Sequence, residues 1–402
     1  MGKSGRYILY IGAMIMPDRN AGAQRARSIL KSIQEIGYQG VVVGLDNQLP
    51  SGSDVLSTKA VYHGTDCYCV RYPATVGEWL NRMWTIQPFV QVMEAYGIEN
   101  FKAVLAIDYE VAALCRLRHF CRKHDIALIA DSMEWYEKSD LPFPRNLVKD
   151  LDTSLRMKWL YPKFKNMICI SQYLYNHFHG LVANVAKVPV SIDRTEEKWS
   201  KLPDYRPQPI CTIAYAGNPG DHCIKERVDW LIRAACELSA QGTACRLRLM
   251  GFDQEWFEGQ NPSLMQLAGY RETVCYLGKL THRECLSEQA QADFFAIIRE
   301  DRLVTRAGFP TKLSEGIGCG TPVLATPFSN IAEYLQPGGE ACRVGFLSSG
   351  FEYQDVVWLV QQAVRCSEEQ RMNLHQQCKE FHELDYNRFN DELEDFLNGL
   401  YE

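Results

Sequence analysis

Short apolar runs alternate with longer amphipathic stretches along this 402-residue chain, and no other feature restricts its fold as much. In the first half the apolar runs are YILYIGA, GVVVGLD, AVLAI, IALIAD and MICIS. They are separated by helix-like segments such as Ala21–Ile36 and Val111–His124. Strands that alternate with helices are typical of a parallel sheet with helices on both faces. The pattern therefore predicts an α/β fold.

The alternation stops once and then begins again. From Val188 the chain reads VPVSIDRTEEKWSKLPDYRPQP, a polar and proline-containing stretch that is typical of a linker. Beyond it the apolar runs are CTIAYAG, CRLRLMG, VCYLG, ADFFAII and GTPVLAT. We therefore predict two Rossmann-like, doubly wound parallel-sheet domains, at residues 1–192 and 205–375. Residues 376–402 are predicted to be helical.

Composition and charge exclude several classes of protein. The net charge is −6, so the chain has no overall basic field for nucleic acid. No apolar run approaches the roughly 20 residues of a membrane-spanning helix. The first residues, MGKSGRYILYIGAM, fit a first strand better than a signal peptide. The fifteen cysteines form no C-x-x-C pair and mostly occupy apolar patterns, which favours free thiols in a reducing cytoplasm.

The segment Arg299–Thr321, REDRLVTRAGFPTKLSEGIGCGT, carries the strongest chemical pattern. Pro310 suits the first position of a helix, where its missing N–H is not needed. A helix over Thr311–Ile317 would then offer free N–H groups to a phosphate. Lys312 adds positive charge in the first turn, and Glu315 follows on the same face, where its carboxylate can accept hydrogen bonds from a ribose diol. The segment fits a nucleotide site, and an ordinary surface helix with a Lys–Glu pair has the same local pattern.

Three other strand ends carry candidate binding residues. In IAYAGNPGDHCIKERVDWLIRA a glycine-containing loop leads to Lys225 and a helix. In IGAMIMPDRNAGAQRARSILKSI the loop leads to Gly22, where the missing side chain permits close approach of a ligand. The strand IALIAD leads into a loop with Asp131, Glu134 and Trp135, and ligands of open α/β sheets bind outside such strand ends. Of these three, Glu134 is the candidate for substrate contact, and Trp135 is expected to pack.

Each of these features also has a simpler explanation. Lys225 fits a solvated lysine in a first helical turn, and Glu134 fits a carboxylate at a helix start. The two arginines that follow Gly22, at Arg25 and Arg27, fit ordinary surface charges. Local pattern alone does not decide between these alternatives.

The segment VTRAGFPTKLSEGIGCGTPVLAT resembles the donor-binding segment of family-4 glycosyltransferases, which have the GT-B fold. In that family two glutamates, separated by seven residues, flank a turn of the Gly-Phe-Gly type. By this resemblance Glu315 is the second glutamate and holds the nucleotide ribose, while the backbone at Gly308 and Phe309 faces the sugar and phosphate. The first glutamate, which touches the transferred sugar in the family, is replaced here by Ala307. The AGFPTK form is similar to that of polysaccharide-assembly members.

The resemblance also assigns the pyrophosphate contacts. Lys225 occupies the place of a basic residue before the first helix of the second domain. An arginine usual after the first glycine of the preceding loop is here Asn218. Arg299 and Lys312, together with the helix start at Thr311, would supply the missing positive charge.

The resemblance implies the following function. The chain would transfer a hexose from a nucleoside diphosphate sugar, bound in a cleft between the domains, to a glycan or lipid-linked acceptor, with retention of anomeric configuration. Residues 376–402 would contain the helix that crosses back to the N-terminal domain. No metal or cofactor is expected, since basic side chains and a helix dipole would offset the phosphate charge. Glu134, near the place of a family histidine, and Lys312 are the predicted catalytic residues.

The segment Arg145–Lys165, RNLVKDLDTSLRMKWLYPKFK, combines six basic residues with three aromatic ones, Trp159, Tyr161 and Phe164. Basic and aromatic residues together suit a membrane interface, and a solvated basic helix has the same composition. This segment is the predicted point of peripheral membrane contact, on the inner face of the membrane. Trp79 and Trp84 would either contribute to it or lie in the core.

Three other functions fit parts of the pattern. A sugar-nucleotide epimerase on the same fold would bind a similar donor and need acid–base residues. A pseudoenzyme that binds sugar nucleotide without turnover would explain the replaced glutamate, histidine and arginine. A NAD-dependent dehydrogenase is disfavoured, because no G-x-G-x-x-G follows a strand.

Overall fold

The structure, a computed structural model, describes residues 6–17, 19–138, 143, 145–335 and 344–401. The chain divides into two compact units. The first comprises Met1–Ser191, Ala307–Phe309 and Asp385–Glu402, and the second comprises Ile192–Arg306 and Pro310–Leu384. Each unit contains one mainly parallel sheet with helices against it, so the predicted fold class is confirmed.

The sheet of the first unit has the strand order β3-β4-β2-β1-β5-β6-β7-β8, in which all neighbours are parallel except the β3–β4 pair. Its central strands are buried on both faces, which explains their continuous apolar runs. The strands are β1 (Tyr7–Ile15), β2 (Gln39–Asp46), β3 (Ala60–Tyr62), β4 (Thr65–Arg71), β5 (Phe101–Ile107), β6 (Ala127–Ser132), β7 (Asn166–Cys169) and β8 (Asn184–Lys187).

The helices of the first unit connect these strands or cover the sheet. Most follow a strand directly, as expected for parallel strands joined by crossovers. They are α1 (Ala21–Glu35), α2 (Val76–Arg82), α3 (Gln87–Tyr96), α4 (Val111–Lys123), α5 (Arg145–Leu155) and α6 (Gln172–Phe178). A single π-helical turn at Arg156–Leu160 continues α5. Among the described helices, none is both long and apolar enough to cross a bilayer.

The sheet of the second unit is parallel throughout, in the order β11-β10-β9-β12-β13-β14. Its core consists of the inward faces of these strands and of the long helices that cover them. The strands are β9 (Cys211–Ala216), β10 (Cys245–Met250), β11 (Val274–Gly278), β12 (Phe294–Ile297), β13 (Val323–Ala325) and β14 (Gly345–Leu347). The α-helices from Ile192 to Leu384 are α7 (Glu197–Ser200), α8 (Val228–Ala240), α9 (Gln254–Gln260), α10 (Tyr270–Thr273), α11 (His282–Ala290), α12 (Leu303–Ala307), α13 (Thr311–Gly318), α14 (Tyr353–Arg365) and α15 (Glu368–Lys379).

The last described α-helix, α16 (Asn390–Asn398), belongs to the first unit. The amide of Asn184 in β8 donates to the carbonyl of Phe396 at 2.9 Å, and Asn390 donates to Glu35 of α1 at 2.8 Å. The division between the units falls after Leu384, later than the predicted residue 376, so that α15 lies in the second unit.

Candidate functional site

At the carboxyl edge of the second sheet, one buried carboxylate holds two basic side chains. Glu226 precedes α8, and only 2% of its side chain is exposed. Its Oε1 accepts a hydrogen bond from Nε of Arg299 at 2.8 Å, and its Oε2 pairs with the ammonium group of Lys312. Arg299 follows β12 and Lys312 lies in the first turn of α13, so three separate connections meet at this carboxylate. Two cations and one anion leave a net positive charge.

Two further features surround the ammonium group of Lys312, the ring of Tyr215 and the backbone at Gly217. Its Nζ lies 4.3 Å from the centroid of the Tyr215 ring at the end of β9, a cation–π distance. The next residue but one, Gly217, has φ 130°, and a Cβ atom built there would lie 2.8 Å from Nζ of Lys312. Glycine is therefore required here for both its backbone conformation and the space that the lysine occupies.

Burial and charge act against each other in this cluster. Burial raises the pKa of Glu226, but the charges of Lys312 and Arg299 outweigh it and hold that pKa below its ordinary value. Burial lowers the pKa of Lys312 despite the opposing charge of Glu226, and Arg299 lowers it further. A phosphate group would supply the additional negative charge that this lysine lacks.

Helix α13 begins as the sequence predicts, with one difference at its first residue. Pro310 has extended φ and ψ and precedes the helix as its cap, so the first helical residue is Thr311 and not Pro310. The amide N–H groups of a first turn attract anions, and within the described structure no side chain caps this one. Thr311 is half-buried at the same end.

Glu315 lies one turn further along α13 and is half-buried. Its Oε1 lies 3.1 Å from Nε2 of His282, at the start of α11. The ordinary Lys–Glu pair considered from sequence is not the arrangement found, because Lys312 pairs with Glu226 and Glu315 with His282. A histidine next to this carboxylate was not anticipated.

Lys225 differs from its neighbour Glu226 in being exposed. Its aliphatic chain packs over Gly220, where an added Cβ atom would lie 3.0 Å from Cγ of Lys225. Asn218, in the place of the family arginine, accepts a hydrogen bond from the Gly220 amide at 2.8 Å and so shapes the loop. The side chain of Lys225 thus lies at the rim of this loop, whereas Arg299 and Lys312 share the buried carboxylate.

The segment Ala307–Phe309 groups with the first unit. The hydroxyl of Ser171 donates to the carbonyl of Ala307 at 2.6 Å and also accepts from the Leu174 amide as the N-cap of α6. Phe309 is buried, and Gly308 is half-buried. Ser171 thus has a second contact beyond the N-cap role that the sequence suggests.

In the first unit, a buried ion pair corrects two sequence-based expectations. Arg25 is not a surface charge, and Asp131 does not lie in a loop: both are fully buried, and Asp131 is part of β6. The guanidinium group of Arg25 donates to Asp131 at 2.7–3.1 Å and to the carbonyl of Val188 at 2.6 Å, and the Tyr10 hydroxyl also donates to Asp131. Buried charges persist when paired in this way. The ion pair therefore connects α1 with β6 of the sheet.

The same helix carries Gly22 in its first turn. Asn20 caps α1 by accepting from the Ala23 amide at 3.0 Å. A Cβ atom on Gly22 would lie 3.2 Å from the carbonyl oxygen of Ala13, so the helix start and the end of β1 lie close together. The predicted glycine loop is therefore a tight strand-to-helix connection.

A pair of carboxyl groups follows the neighbouring strands β5 and β6. Asp108 comes directly after β5 with φ 41°, a conformation that non-glycine residues rarely adopt. Its side chain is 16% exposed, and its Oδ1 lies 3.5 Å from the guanidinium of Arg156, with no hydrogen-bond partner among the described residues. Glu134, the predicted residue, follows β6 and is half-buried, while Trp135 packs against His177.

The environment of Asp108 favours its neutral form. Burial raises the pKa of Asp108 to about 7, against the opposing charge of Arg156 and with the help of Glu134. A carboxyl group with a perturbed pKa, at the carboxyl end of a central strand, is a functional candidate. Asp108 was not predicted from the sequence, although it directly follows the apolar run AVLAI, where a strand end is expected.

Residues 211–366 match the family described as Glycosyl transferases group 1. No curated protein sequence is significantly similar to the chain. Solved structures share its fold over nearly their whole lengths. Sucrose-phosphate synthase from Thermosynechococcus elongatus has a TM-score of 0.68 and 13% identity, covering 98% of this chain and 99% of that one.

Two further structures extend this comparison. A trehalose-6-phosphate protein from E. coli, bound with UDP-2-fluoro glucose, has a TM-score of 0.65 and 11% identity, covering 98% of this chain and 99% of that one. An Anabaena protein in complex with UDP has a TM-score of 0.63 and 14% identity, with the same coverage. The chain has the GT-B fold. Residues 211–366 are similar to the group 1 glycosyltransferases, and the GT-B fold that the sequence resemblance implied is confirmed.

The donor residues predicted from sequence fall into three places in the structure. Arg299, Lys312, Thr311 and Glu315 lie on two adjoining connections of the second unit, and Lys225 lies on the rim of a third. Gly308 and Phe309 group with the first unit, which also contains Gly22 and Glu134. Among the described residues, no cluster of three or more His, Cys, Asp or Glu side chains is arranged to hold a metal ion.

Proposed function

We propose that this protein transfers a sugar, of hexose type, from a nucleoside diphosphate sugar to a glycan or lipid-linked acceptor, with retention of anomeric configuration. The observation that carries the proposal is the cluster of Glu226, Arg299 and Lys312 at the start of α13. It lies within the part of the chain that matches the glycosyltransferase family. We further propose that this protein acts in the cytoplasm, in polysaccharide biosynthesis.

The electrostatics of the cluster support diphosphate binding. Glu226 holds both cations in place before any ligand arrives, so little reorganisation accompanies binding. The net positive charge and the N–H groups of α13 favour an anion with several oxygens. Glu315, one turn along the same helix, would accept hydrogen bonds from the ribose hydroxyls beside its contact with His282, and Lys225, Gly308 and Phe309 would complete the donor contacts.

The proposed reaction needs stabilisation of the departing diphosphate more than a nucleophile. Lys312 and Arg299 would offset the charge that develops on the leaving oxygen as the glycosidic bond breaks. The acceptor hydroxyl would attack from the same face, and its proton would pass to the departing phosphate. The protein then has to hold the acceptor hydroxyl next to the leaving oxygen, on the same face of the sugar. Glu134 and Asp108 would orient the sugar and the acceptor hydroxyl, and we expect full activity in excess chelator.

A panel of labelled sugar nucleotides tests the proposal. UDP-sugars are the first choice, because two structures of this fold were solved with UDP or a UDP-sugar. Slow hydrolysis of one donor, with release of nucleoside diphosphate, supports a transferase. Isomerisation of the donor would instead identify an epimerase, and tight binding without conversion would identify a pseudoenzyme, for which the replacement of the first glutamate by Ala307 gives a reason.

Replacing Glu315 with alanine should weaken donor binding by about 1–3 kcal/mol, because charge-assisted hydrogen bonds to the ribose are lost. Isothermal titration calorimetry, with the intact sugar nucleotide that the panel identifies as the donor, measures the change in affinity. Glu255→Ala removes an exposed carboxylate on α9 and should leave the affinity unchanged. If Glu315→Ala binds the donor as tightly as the wild type does, Glu315 is not the ribose ligand.

A further inference from the structure

Two helices of the first unit expose apolar side chains at regular spacing. On α2 and the turn after it these are Val76, Leu80 and Trp84, which are 54–60% exposed. On α5 and its π-helical turn they are Leu147, Leu151, Leu155 and Trp159, which are 42–61% exposed. Residues four apart lie on one side of a helix, so each set forms a stripe. We call the two stripes, with α4 beside them, the α2–α5 face.

Contacts at the beginning of α4 bring the two stripes to one side of the unit. Arg82 of α2 donates to Glu110 at 3.1 Å, and the amide of Val111 donates to Asp152 of α5 at 2.9 Å. Helices α2 and α5 therefore contact consecutive residues: α2 contacts Glu110, immediately before α4, and α5 contacts Val111, the first residue of α4.

Further along α4, one arginine contacts Trp84 at the end of the first stripe, and a second contacts Lys163 near the end of the other stripe. Arg116 lies over the Trp84 ring at 5.3 Å and donates to the Trp84 carbonyl at 3.2 Å. Arg118 donates to the carbonyl of Lys163, whose own Nζ lies 3.6 Å from the centroid of the Trp159 ring. Cations therefore accompany both exposed tryptophans of this face.

The charge of this face is opposite to that of the whole chain. Residues 111–124 and 143–165 contain ten Lys or Arg (four and six) and two Asp, whereas the chain has a net charge of −6. Arg156 and Asp152 are buried, so the charges that remain accessible are nine Lys or Arg and Asp150, which is half-buried. An anionic surface would therefore meet cations and apolar side chains together.

The sequence-based expectation for Arg145–Lys165 is corrected in its aromatic residues. Tyr161 and Phe164 are buried in the unit, and of the three only Trp159 is exposed. The exposed leucines of α5, which were not singled out from sequence, provide most of the apolar area instead. Trp84 is exposed, whereas Trp79 is half-buried.

A basic cavity adjoins this face at the amino edge of the sheet. It has a volume of about 590 Å³ and lies beside the first residues of β6 and β7. Four of its lining residues are cations, Arg118, Arg122, Lys163 and Lys165, and one is an acid, Asp125. Its size and charge suit an anionic headgroup at the end of the apolar stripe.

We propose that the α2–α5 face docks on an anionic phospholipid bilayer. The exposed leucines and tryptophans would enter the interface, and the surrounding lysines and arginines would bind lipid phosphates. Because α4 and α5 both begin at the carboxyl edge of the sheet, where Asp108 and Glu134 lie, a docked protein would hold these residues near the membrane surface. The inference deepens the proposed function, on which it rests for the lipid-linked acceptor.

Cosedimentation with vesicles tests this docking. The wild type should pellet with vesicles of equal parts phosphatidylcholine and phosphatidylglycerol, weakly with phosphatidylcholine alone, and less as salt rises, because screening weakens the phosphate contacts. Leu151→Gln with Leu155→Gln should weaken partitioning at least about tenfold. The matched control is Leu181→Gln with Met372→Gln, which changes exposed apolar residues outside this face and should pellet as the wild type does.

Vesicle binding is measured without donor or acceptor, so it is independent of the transferase assay. If the wild type does not pellet with anionic vesicles, or if the α5 variant and the control pellet alike, the docking is wrong even where donor hydrolysis is intact. If instead sedimentation velocity shows a dimer that only the α5 variant loses, and vesicles are not bound, the face is a self-association surface and the proposal is overturned. An unchanged circular dichroism spectrum verifies that the α5 variant is folded.

Discussion

Replacing Lys312 with alanine should lower the turnover number about 100- to 1,000-fold, because a preorganised cation is removed from the departing diphosphate. Glu134→Gln should cost less than about tenfold, since the proposed mechanism asks Glu134 only to orient a substrate. Steady-state release of nucleoside diphosphate, at saturating donor, compares the two variants directly. A larger loss in Glu134→Gln than in Lys312→Ala would contradict the proposed mechanism.

A second substitution, at the buried Glu226, separates a catalytic role of Lys312 from a structural one. Removing the lysine leaves this carboxylate with Arg299 as its remaining ion-pair partner among the described contacts, so the variant should also lose stability. The double variant Lys312→Ala, Glu226→Gln also removes the buried carboxylate, which has lost one of its two cations, and should recover stability without recovering turnover. If stability and turnover recover together, the role of Lys312 is structural.

The nucleophile alternative has its own test. If Glu134→Gln abolishes activity and azide restores it with an inverted glycosyl azide product, Glu134 attacks the sugar and the same-face mechanism is wrong. A covalent route needs a carboxylate on the face opposite the leaving group.

Replacing Asp108 with asparagine should stabilise the protein at neutral and higher pH but not in acid. The folded-state pKa of Asp108 is raised from its ordinary 3.8 to about 7, so folded protein holds a proton that unfolded protein has released. The stability that this group contributes is therefore complete below pH 4 and lost as the pH rises to 7, by about 1.4 kcal/mol per pH unit. Asparagine has no such proton to lose. Relative to the wild type, the variant should gain about 3–4 kcal/mol in free energy of unfolding between pH 4 and pH 8.

Urea unfolding followed by circular dichroism across this pH range measures the difference. Asp125→Asn is the matched control, because Asp125 is exposed and has a similar backbone conformation, with φ 54°. It should show no pH-dependent gain. If the stability of Asp108→Asn parallels that of the wild type at every pH, the carboxyl group is not held in its neutral form.

The same variant tests the role proposed for Asp108. A residue that orients the acceptor should raise the acceptor KM when replaced, while donor affinity stays as in the wild type. Gain of stability together with loss of acceptor binding is the usual pattern for a polar group retained for function. Unchanged kinetics would leave Asp108 as a structural neighbour of Arg156 and remove it from the proposed mechanism.

The division into two α/β parts could be predicted from the amino-acid sequence, because strand and helix periodicity are local properties that repeat along the chain. Strands β1, β2, β5–β7 and β9–β13 follow the apolar runs. The hairpin of β3 and β4 and the short strands β8 and β14 were not predicted, because their runs are brief or partly polar. Lys312 and Glu315 were also predicted, because a helix start and its spacing are visible within ten residues.

Which charged side chains are buried, and which partners they have, depends on the tertiary structure and could not be predicted from the sequence. Glu226 lies 86 residues from Lys312 in sequence, and Arg25 lies 106 residues from Asp131. No local pattern connects these residues, because parallel strands bring distant loops to one edge of a sheet. Burial then changes what each group does: it makes Glu226 the anchor of two cations and lets Asp108 keep its proton near neutral pH. Both effects depend on the low dielectric of the folded interior, which the unfolded chain lacks.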